Sequence, residues 1–265
     1  MSNQVTVALI QMDCVLEDKE HNLEHAAKLI AKAAARDASL IVLPELFSTG
    51  YRVEPADYEL AESIPGATTD WMQKQAGLYT AYLIATIIEK DVNGDLYDTA
   101  VVVGPEGLIS RYRKMHLWAG EAKRFKRGNT LDIVELPFAK IGLQVCYEIG
   151  FPEQARVLTQ VGAQIIVYSS AFAKTRAYVW DISSKSRALE NGVFVLACNR
   201  TGVEYETTFG GLSRIVAPNS DVLAGTGTDG EAVICAELEL DDIEKQRLRI
   251  PFLRDLNSKL VLKKF

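Results

Sequence analysis

The chain has 265 residues, 29 Lys and Arg against 35 Asp and Glu, and a formal net charge of −6. That length permits a substantial core without staples, and the mildly acidic balance argues against a nucleic-acid or anionic-membrane partner. No window reaches the roughly 18 uninterrupted apolar residues of a membrane span, and the N-terminal "MSNQVTVALIQMD" lacks the basic region that opens a secretory signal.

Strand-like and helix-like patterns then alternate along the chain. "VTVALIQ" (Val5–Gln11) reads as a strand, and His21–Asp37 places Leu23, Ala26, Ala27 and Ile30 at helical spacing. "SLIVLP" is a continuous apolar run of the kind buried on both faces. A helix near Thr69–Leu78 and the strand "YLIATIIE" follow, and "LYDTAVVVGPEGLISRYRKMHL" reads as a hairpin about a Gly-Pro-Glu-Gly turn. The second half repeats the theme. "KIGLQVCYE" is a strand, "PEQARVLTQVG" a helix with Pro152 near its start, and "QIIVYSS" a strand. "RAYVWDISSKSRALENG" is a helix ended by Gly192, and "VFVLACN" another strand. Two strands and a turn are expected over about Leu212–Leu238, then a short charged helix in "DDIEKQRLRI" and the tail "PFLRDLNSKLVLKKF". No linker or composition break interrupts this order, so the expectation is one α/β domain over residues 1–265. The apolar-basic tail is a candidate contact with a partner subunit.

Cys14, Cys146, Cys198 and Cys235 are widely spaced, with no C-x-x-C and no Cys/His cluster for zinc. Free thiols in a reducing cytoplasm are the economical reading. Ligands in open α/β sheets gather outside the carboxyl ends of strands. At three such ends stand Glu45, Lys114 and Cys146, each expected to close a buried strand.

That trio matches what cleavage of a carbon–nitrogen bond demands. A thiol of pKa about 8.5 is mostly protonated at neutral pH, so a nucleophilic Cys146 needs a base, which later returns the proton to the leaving nitrogen. Glu45 can shuttle that proton. Lys114 can hold the oxyanion, with the backbone N–H of Tyr147 as a second donor. Histidine is the more usual thiol partner. His21 and His25 lie on the start of the first helix, and His116 points away from Lys114 if the strand continues. Cys146–His116 stays open, though without an obvious orienting acid. Taken singly, Glu45 and Lys114 also read as ordinary charged loop residues, and Cys146 as core.

These stretches resemble the nitrilase superfamily, the carbon–nitrogen hydrolases with a Glu–Lys–Cys triad. "LPELFSTGY" is similar to the glutamate motif, "YRKMHLW" to the lysine motif and "CYEIGFPE" to the cysteine motif, in the family's order; "SRALENGVFVLACNRTG" resembles the segment that usually follows. The resemblance implies a four-layered α-β-β-α sandwich, pairing with a second subunit as a homodimer, and no metal or organic cofactor. It makes Glu45 the general base, Lys114 the oxyanion stabiliser and Cys146 the nucleophile. Glu121, in "HLWAGEAKRFKRGN", falls where the family often has a supporting glutamate, one that orients the lysine or holds the substrate nitrogen or deacylating water. One departure is Tyr147-Glu148, where many members carry an aspartate at the second position; the exchange keeps the charge and is expected to alter geometry more than chemistry.

Members of that family cleave amides, N-carbamoyl compounds or nitriles, and since true nitrilases tend to be longer, the resemblance implies a primary amide as substrate, going to acid and ammonia through a thioester. Tyr51, Trp118, Phe172 and Trp180 are candidate apolar pocket walls, and Arg176 and Arg187 candidate carboxylate ligands. Two rivals come from other classes: a non-catalytic binding protein, and a thiol redox sensor in which Cys198, also at a strand end, resolves Cys146. "AGTGTDG" is not G-x-G-x-x-G opening a helix and reads as a turn. On the catalytic reading, Lys114→Met suppresses acylation and leaves folding largely unchanged.

Overall fold

The computed structural model describes residues 3–131 and 133–257. The first half runs β1 (Gln4–Gln11), α1 (Lys19–Ala34), β2 (Leu40–Val42), α2 (Asp57–Leu60), α3 (Ala67–Tyr79), β3 (Tyr82–Lys90), β4 (Leu96–Gly104) and β5 (Gly107–Arg113). The second runs β6 (Ile133–Glu135), β7 (Lys140–Val145), α4 (Pro152–Gln160), β8 (Ile165–Ser170), α5 (Ala177–Asn191), β9 (Phe194–Asn199), the short hairpin β10 (Val203–Glu204) and β11 (Thr207–Thr208), then β12 (Arg214–Val216), β13 (Val222–Gly225), β14 (Ala232–Glu239), α6 (Asp241–Arg249) and α7 (Phe252–Asp255).

Two six-stranded sheets form, in the orders β14-β1-β2-β3-β4-β5 and β13-β12-β9-β8-β7-β6. Each has three parallel central strands, β1–β3 in one and β7–β9 in the other, flanked by antiparallel neighbours. The sheets therefore share one arrangement of strand directions without sharing sequence or full connectivity, since β14 comes from the end of the chain whereas β6 directly precedes β7. Strand periodicity explains the layering. In β1, Val5, Val7 and Leu9 face the second sheet, whereas Ala8 and Ile10 face α1 and α3, where they meet Ala26, Ile30, Met72 and Ala76. On the far side, Ala155 and Leu158 of α4 and Trp180 and Ala188 of α5 cover the second sheet. The result is the expected α-β-β-α sandwich.

Local signals account for the helix ends. The Asp18 side chain accepts a hydrogen bond from the His21 N–H at 3.0 Å and caps α1. Pro152 opens α4, and Gly192 ends α5 in the left-handed region at φ 55°.

Some expectations change. β5 stops at Arg113, and it is an edge strand rather than a buried one, with Ile109 exposed. β7 stops at Val145, one residue before Cys146. The segment after Leu212 holds three strands, and the third, β14, crosses to pair with β1 in the other sheet. The last part of the tail, residues 258–265, lies outside the described residues.

Candidate active site

Three segments leave their strands through sharp turns, and each turn contains a non-glycine residue at positive φ: Leu46 at 53°, Ala119 at 44° and Cys146 at 49°. For an L-residue this conformation costs roughly 1–2 kcal/mol and persists only where surrounding contacts impose it. At Cys146 it breaks the strand and turns the chain into a 3-10 turn over Cys146–Gly150, so the thiol stands at the carboxyl edge of the second sheet.

Glu148 holds that turn. One of its carboxylate oxygens accepts from the Val145 N–H at 2.8 Å. The other accepts from Met115 N–H at 2.8 Å, His116 N–H at 3.1 Å and the Tyr112 hydroxyl at 2.7 Å. A single buried side chain thereby ties the cysteine turn to the segment just after Lys114. The sequence reading noted Glu148 only as a charge-conserving departure, since donors distant in the chain leave no local pattern. Glu148→Ala strands several buried donors, each costing about 1–3 kcal/mol when unsatisfied. The expected outcome is a clear fall in melting temperature with a loss of turnover, and a variant matching the native protein in both removes the role given to Glu148.

Glu45, Lys114, Glu121 and Cys146 converge, all buried. Lys114 Nζ donates to Glu45 Oε1 at 2.7 Å, Glu121 Oε1 at 2.8 Å and Asp98 Oδ2 at 3.2 Å. Glu45 Oε2 accepts from the Ala171 N–H at 2.6 Å, and the Cys146 thiol lies beside the same carboxylate, close enough to influence its charge. Glu121 accepts further bonds from the Tyr51 hydroxyl at 2.5 Å and the Trp118 N–H at 2.7 Å. These contacts leave it better placed to orient Lys114 than to hold substrate.

Electrostatics assign protonation states. Burial, then the Glu45 charge, pushes the Cys146 thiol well above its ordinary range, so the resting sulfur is protonated. Burial alone would raise Glu45, yet Lys114 and its hydrogen bonds win and hold it below the usual carboxylate value. Burial would likewise lower Lys114, but Glu45, Glu121 and Asp98 raise it well above the ordinary lysine value. The site thus contains a neutral thiol beside an ionised carboxylate, which is itself paired with an ammonium.

A cavity of about 440 Å³ opens over Cys146, within the range of small-molecule sites. Tyr51 and Trp118 line it, together with Glu121, Phe209, Arg52, Arg124, Arg176 and the part of the β10–β11 hairpin from Glu206 to Thr208. Phe172 and Trp180 do not line it. They pack on each other in the core at 5.3 Å between ring centres, and the Trp180 indole N–H donates to the Leu212 carbonyl. Arg187 is buried and donates to the Ile149 carbonyl and to Glu190, which removes it as a substrate ligand. Arg124 is engaged by Asp57 through two hydrogen bonds and Arg52 by Glu54. Arg176 differs. Its guanidinium lies over Trp118 at 4.1 Å and Phe172 at 5.0 Å, and among the described residues no carboxylate pairs with it.

The histidine rival loses ground. His116 stacks on Phe151 at 3.9 Å and does have an acid beside it, Glu148, at 3.8 Å. That carboxylate is already holding backbone donors, however, and the acceptor beside the thiol is Glu45. The sensor reading fares no better. Cys198 is buried between the sheets, its single S–H shared between the carbonyls of Ile10 and Val42 at 3.3 Å.

An α-β-β-α sandwich with a buried thiol, carboxylate and ammonium at its strand ends defines a cysteine-dependent carbon–nitrogen hydrolase of the nitrilase superfamily. The chain belongs to the carbon-nitrogen hydrolase family, which it matches over residues 6–248. It is 37% identical over 259 residues to a nitrilase of Pyrococcus abyssi, covering 96% of this chain and 95% of that one. It is 32% identical over 266 residues to the omega-amidase NIT2 of Homo sapiens, covering 96% and 95%. Its fold superposes with a TM-score of 0.92 on the carbon-nitrogen hydrolase from Helicobacter pylori G27, at 27% identity and 99% coverage of both chains. Among the described residues no helix is long and apolar enough to cross a membrane.

Proposed function

We propose that the protein hydrolyses a primary amide to a carboxylic acid and ammonia through a thioester on Cys146, and that the amide carries a second, distal carboxylate. What carries this reading is the gathering of Cys146, Glu45 and Lys114 at one buried spot, where burial favours a neutral thiol and Lys114 an ionised Glu45, with Cys146 lining the cavity. As Cys146 Sγ attacks the amide carbon, Glu45 takes the thiol proton and returns it to the departing nitrogen, which leaves as ammonia. Water then attacks the thioester, Glu45 takes its proton, and the thiol leaves reprotonated with the acid released. The Tyr147 N–H, at the open start of the 3-10 turn, serves as the direct oxyanion donor. Lys114 stabilises the same charge through its field, because its three N–H groups are already directed at Glu45, Asp98 and Glu121. Glu121 holds Lys114 in that position.

Arg176 supports the distal carboxylate: an unpaired guanidinium, held flat on two aromatic rings, presents a planar fork to an anion. Activity as an omega-amidase, the name given to several relatives, is consistent with it. A hydrogen bond to a charged group contributes about 1.5–3 kcal/mol, so Arg176→Met should raise KM for ω-carboxy amides by roughly 10- to 100-fold. KM for neutral short amides should not move. Ammonia release measured across both substrate sets decides this, and an equal loss on both removes the carboxylate assignment. Preferred turnover of nitriles or N-carbamoyl compounds in the same panel would replace the amide reading.

The sandwich, with one core shared between its sheets, supports taking residues 1–265 as one hydrolase domain. Val157 on α4, Val161 at its C-terminal cap, and Tyr178 and Ile182 on α5 are exposed apolar residues, which supports a homodimer or higher homo-oligomer. A nucleophilic free thiol also suits a reducing cytoplasm.

A further inference from the structure

Asp98 stands near the start of β4, paired with Ile88 of β3, and its backbone carbonyl accepts from the Lys114 N–H at 2.9 Å. Its side chain is fully buried. Carboxylate oxygens of Asp98, Glu45 and Glu121 lie within 4.8 Å of one another, around the single ammonium of Lys114. Three ionised carboxylates about one cation would leave two uncompensated negative charges on buried side chains, a costly arrangement. Hydrogen bonding sharpens the point. Asp98 Oδ2 accepts from Lys114, but Oδ1 is buried with no donor facing it. Its polar neighbour is the Glu45 carboxylate, itself only an acceptor when ionised. One proton on Oδ1 turns the orphaned acceptor into a donor to Glu45 and removes one of the two excess charges.

We propose that Asp98 is a neutral carboxylic acid in the resting enzyme, donating its proton to Glu45, and that it is a positioning residue which fixes the base against Lys114 and the Cys146 thiol. The groups facing Asp98 are Lys114, Glu45 and Glu121. Burial raises Asp98 well above the usual carboxylate range, and the two glutamates add to this against the opposing Lys114. Glu45 is driven the other way, so the proton belongs on Asp98. The Lys114 contact to Asp98 is also the longest of its three, as befits a neutral acceptor.

The catalytic consequence rests on the function proposed above; the protonation state does not. Asparagine has the shape and donor pattern of the neutral acid. Asp98→Asn should therefore keep kcat within about threefold of native, whereas Asp98→Ala, which leaves Glu45 without its donor, should lose at least about tenfold. The direct readout is the infrared difference spectrum of native protein minus Asp98→Asn at neutral pH. It should show the carbonyl stretch of a protonated carboxylic acid, shifted in D2O. No acid band in that spectrum, or an Asp98→Asn variant as impaired as Asp98→Ala, overturns the proposal. Cys146→Ala should keep the band while losing all ammonia release; a band in native protein that itself hydrolyses no amide would refute the amidase reading and leave Asp98 neutral.

Discussion

Cys146→Ala abolishes ammonia release, by at least about 10⁴-fold in kcat, while substrate still binds. The basis is the division of labour at the site. Glu45, Lys114 and Glu121 hold one another through hydrogen bonds that do not involve sulfur, at 2.7 and 2.8 Å to the ammonium. Removing the thiol therefore leaves the charged cluster and the cavity walls in place. What disappears is the atom that forms the thioester, for which an alanine methyl has no substitute. The turn itself survives, since alanine and cysteine meet the same steric cost at φ 49°. Ammonia release and calorimetric binding of an ω-carboxy amide, measured together, check both halves. A variant that retains even a tenth of native turnover excludes Cys146 as the nucleophile.

Lys114→Met is expected to damage stability as well as activity, contrary to what the residue's place in "YRKMH" suggests. Lys114 is 0% exposed and is the cation between Glu45 and Glu121. Breaking a buried ion pair from one side costs about 3–5 kcal/mol, because the remaining charge is left uncompensated. The loss should depend on pH in a defined direction. In the native protein Lys114 helps hold Glu45 below its ordinary value, a contribution to stability present above the unfolded-state carboxylate pKa and lost as pH falls through the folded one. In the variant, burial without the cation drives Glu45 upward, so its penalty at neutral pH is relieved by protonation as pH falls. The stability gap between the two proteins should therefore narrow in acid. Denaturant unfolding at pH 7 and pH 5 measures it, and a gap that widens on acidification shows that Lys114 is not the counter-charge of Glu45.

The contrast shows which features a sequence can display. Central strands declared themselves because burial on both faces writes a continuous apolar run, and Glu45 and Cys146 stood out because each interrupts one. Lys114 was found by its position, but its burial was not, since "SRYRKMH" reads as an exposed basic stretch. Asp98 sits in "LYDTAVVV" with no flanking motif. Its importance arises only when the Lys114 side chain folds back onto β4. Glu148 is similar, with partners some 32 or 33 residues earlier in the chain. Phe172 and Trp180 failed as pocket walls for the opposite reason: aromatic residues serve a core and a pocket equally well, and sequence does not distinguish inward from outward packing.

The seam between the two sheets has a consequence for when the chemistry can begin. Glu45 and Lys114 follow strands of the first sheet and Cys146 follows a strand of the second. What joins them crosses that seam: Ala171 N–H to Glu45, the Ser169 hydroxyl to the Leu43 carbonyl at 2.7 Å, and Met115 N–H to Glu148. Neither half of the chain contains both the thiol and its base. A nascent or half-folded molecule therefore carries an ordinary cysteine, harmless to the amides around it. Under the proposed mechanism Cys146 meets its base only where the two sheets pack together, so docking of the sheets is a precondition for hydrolysis.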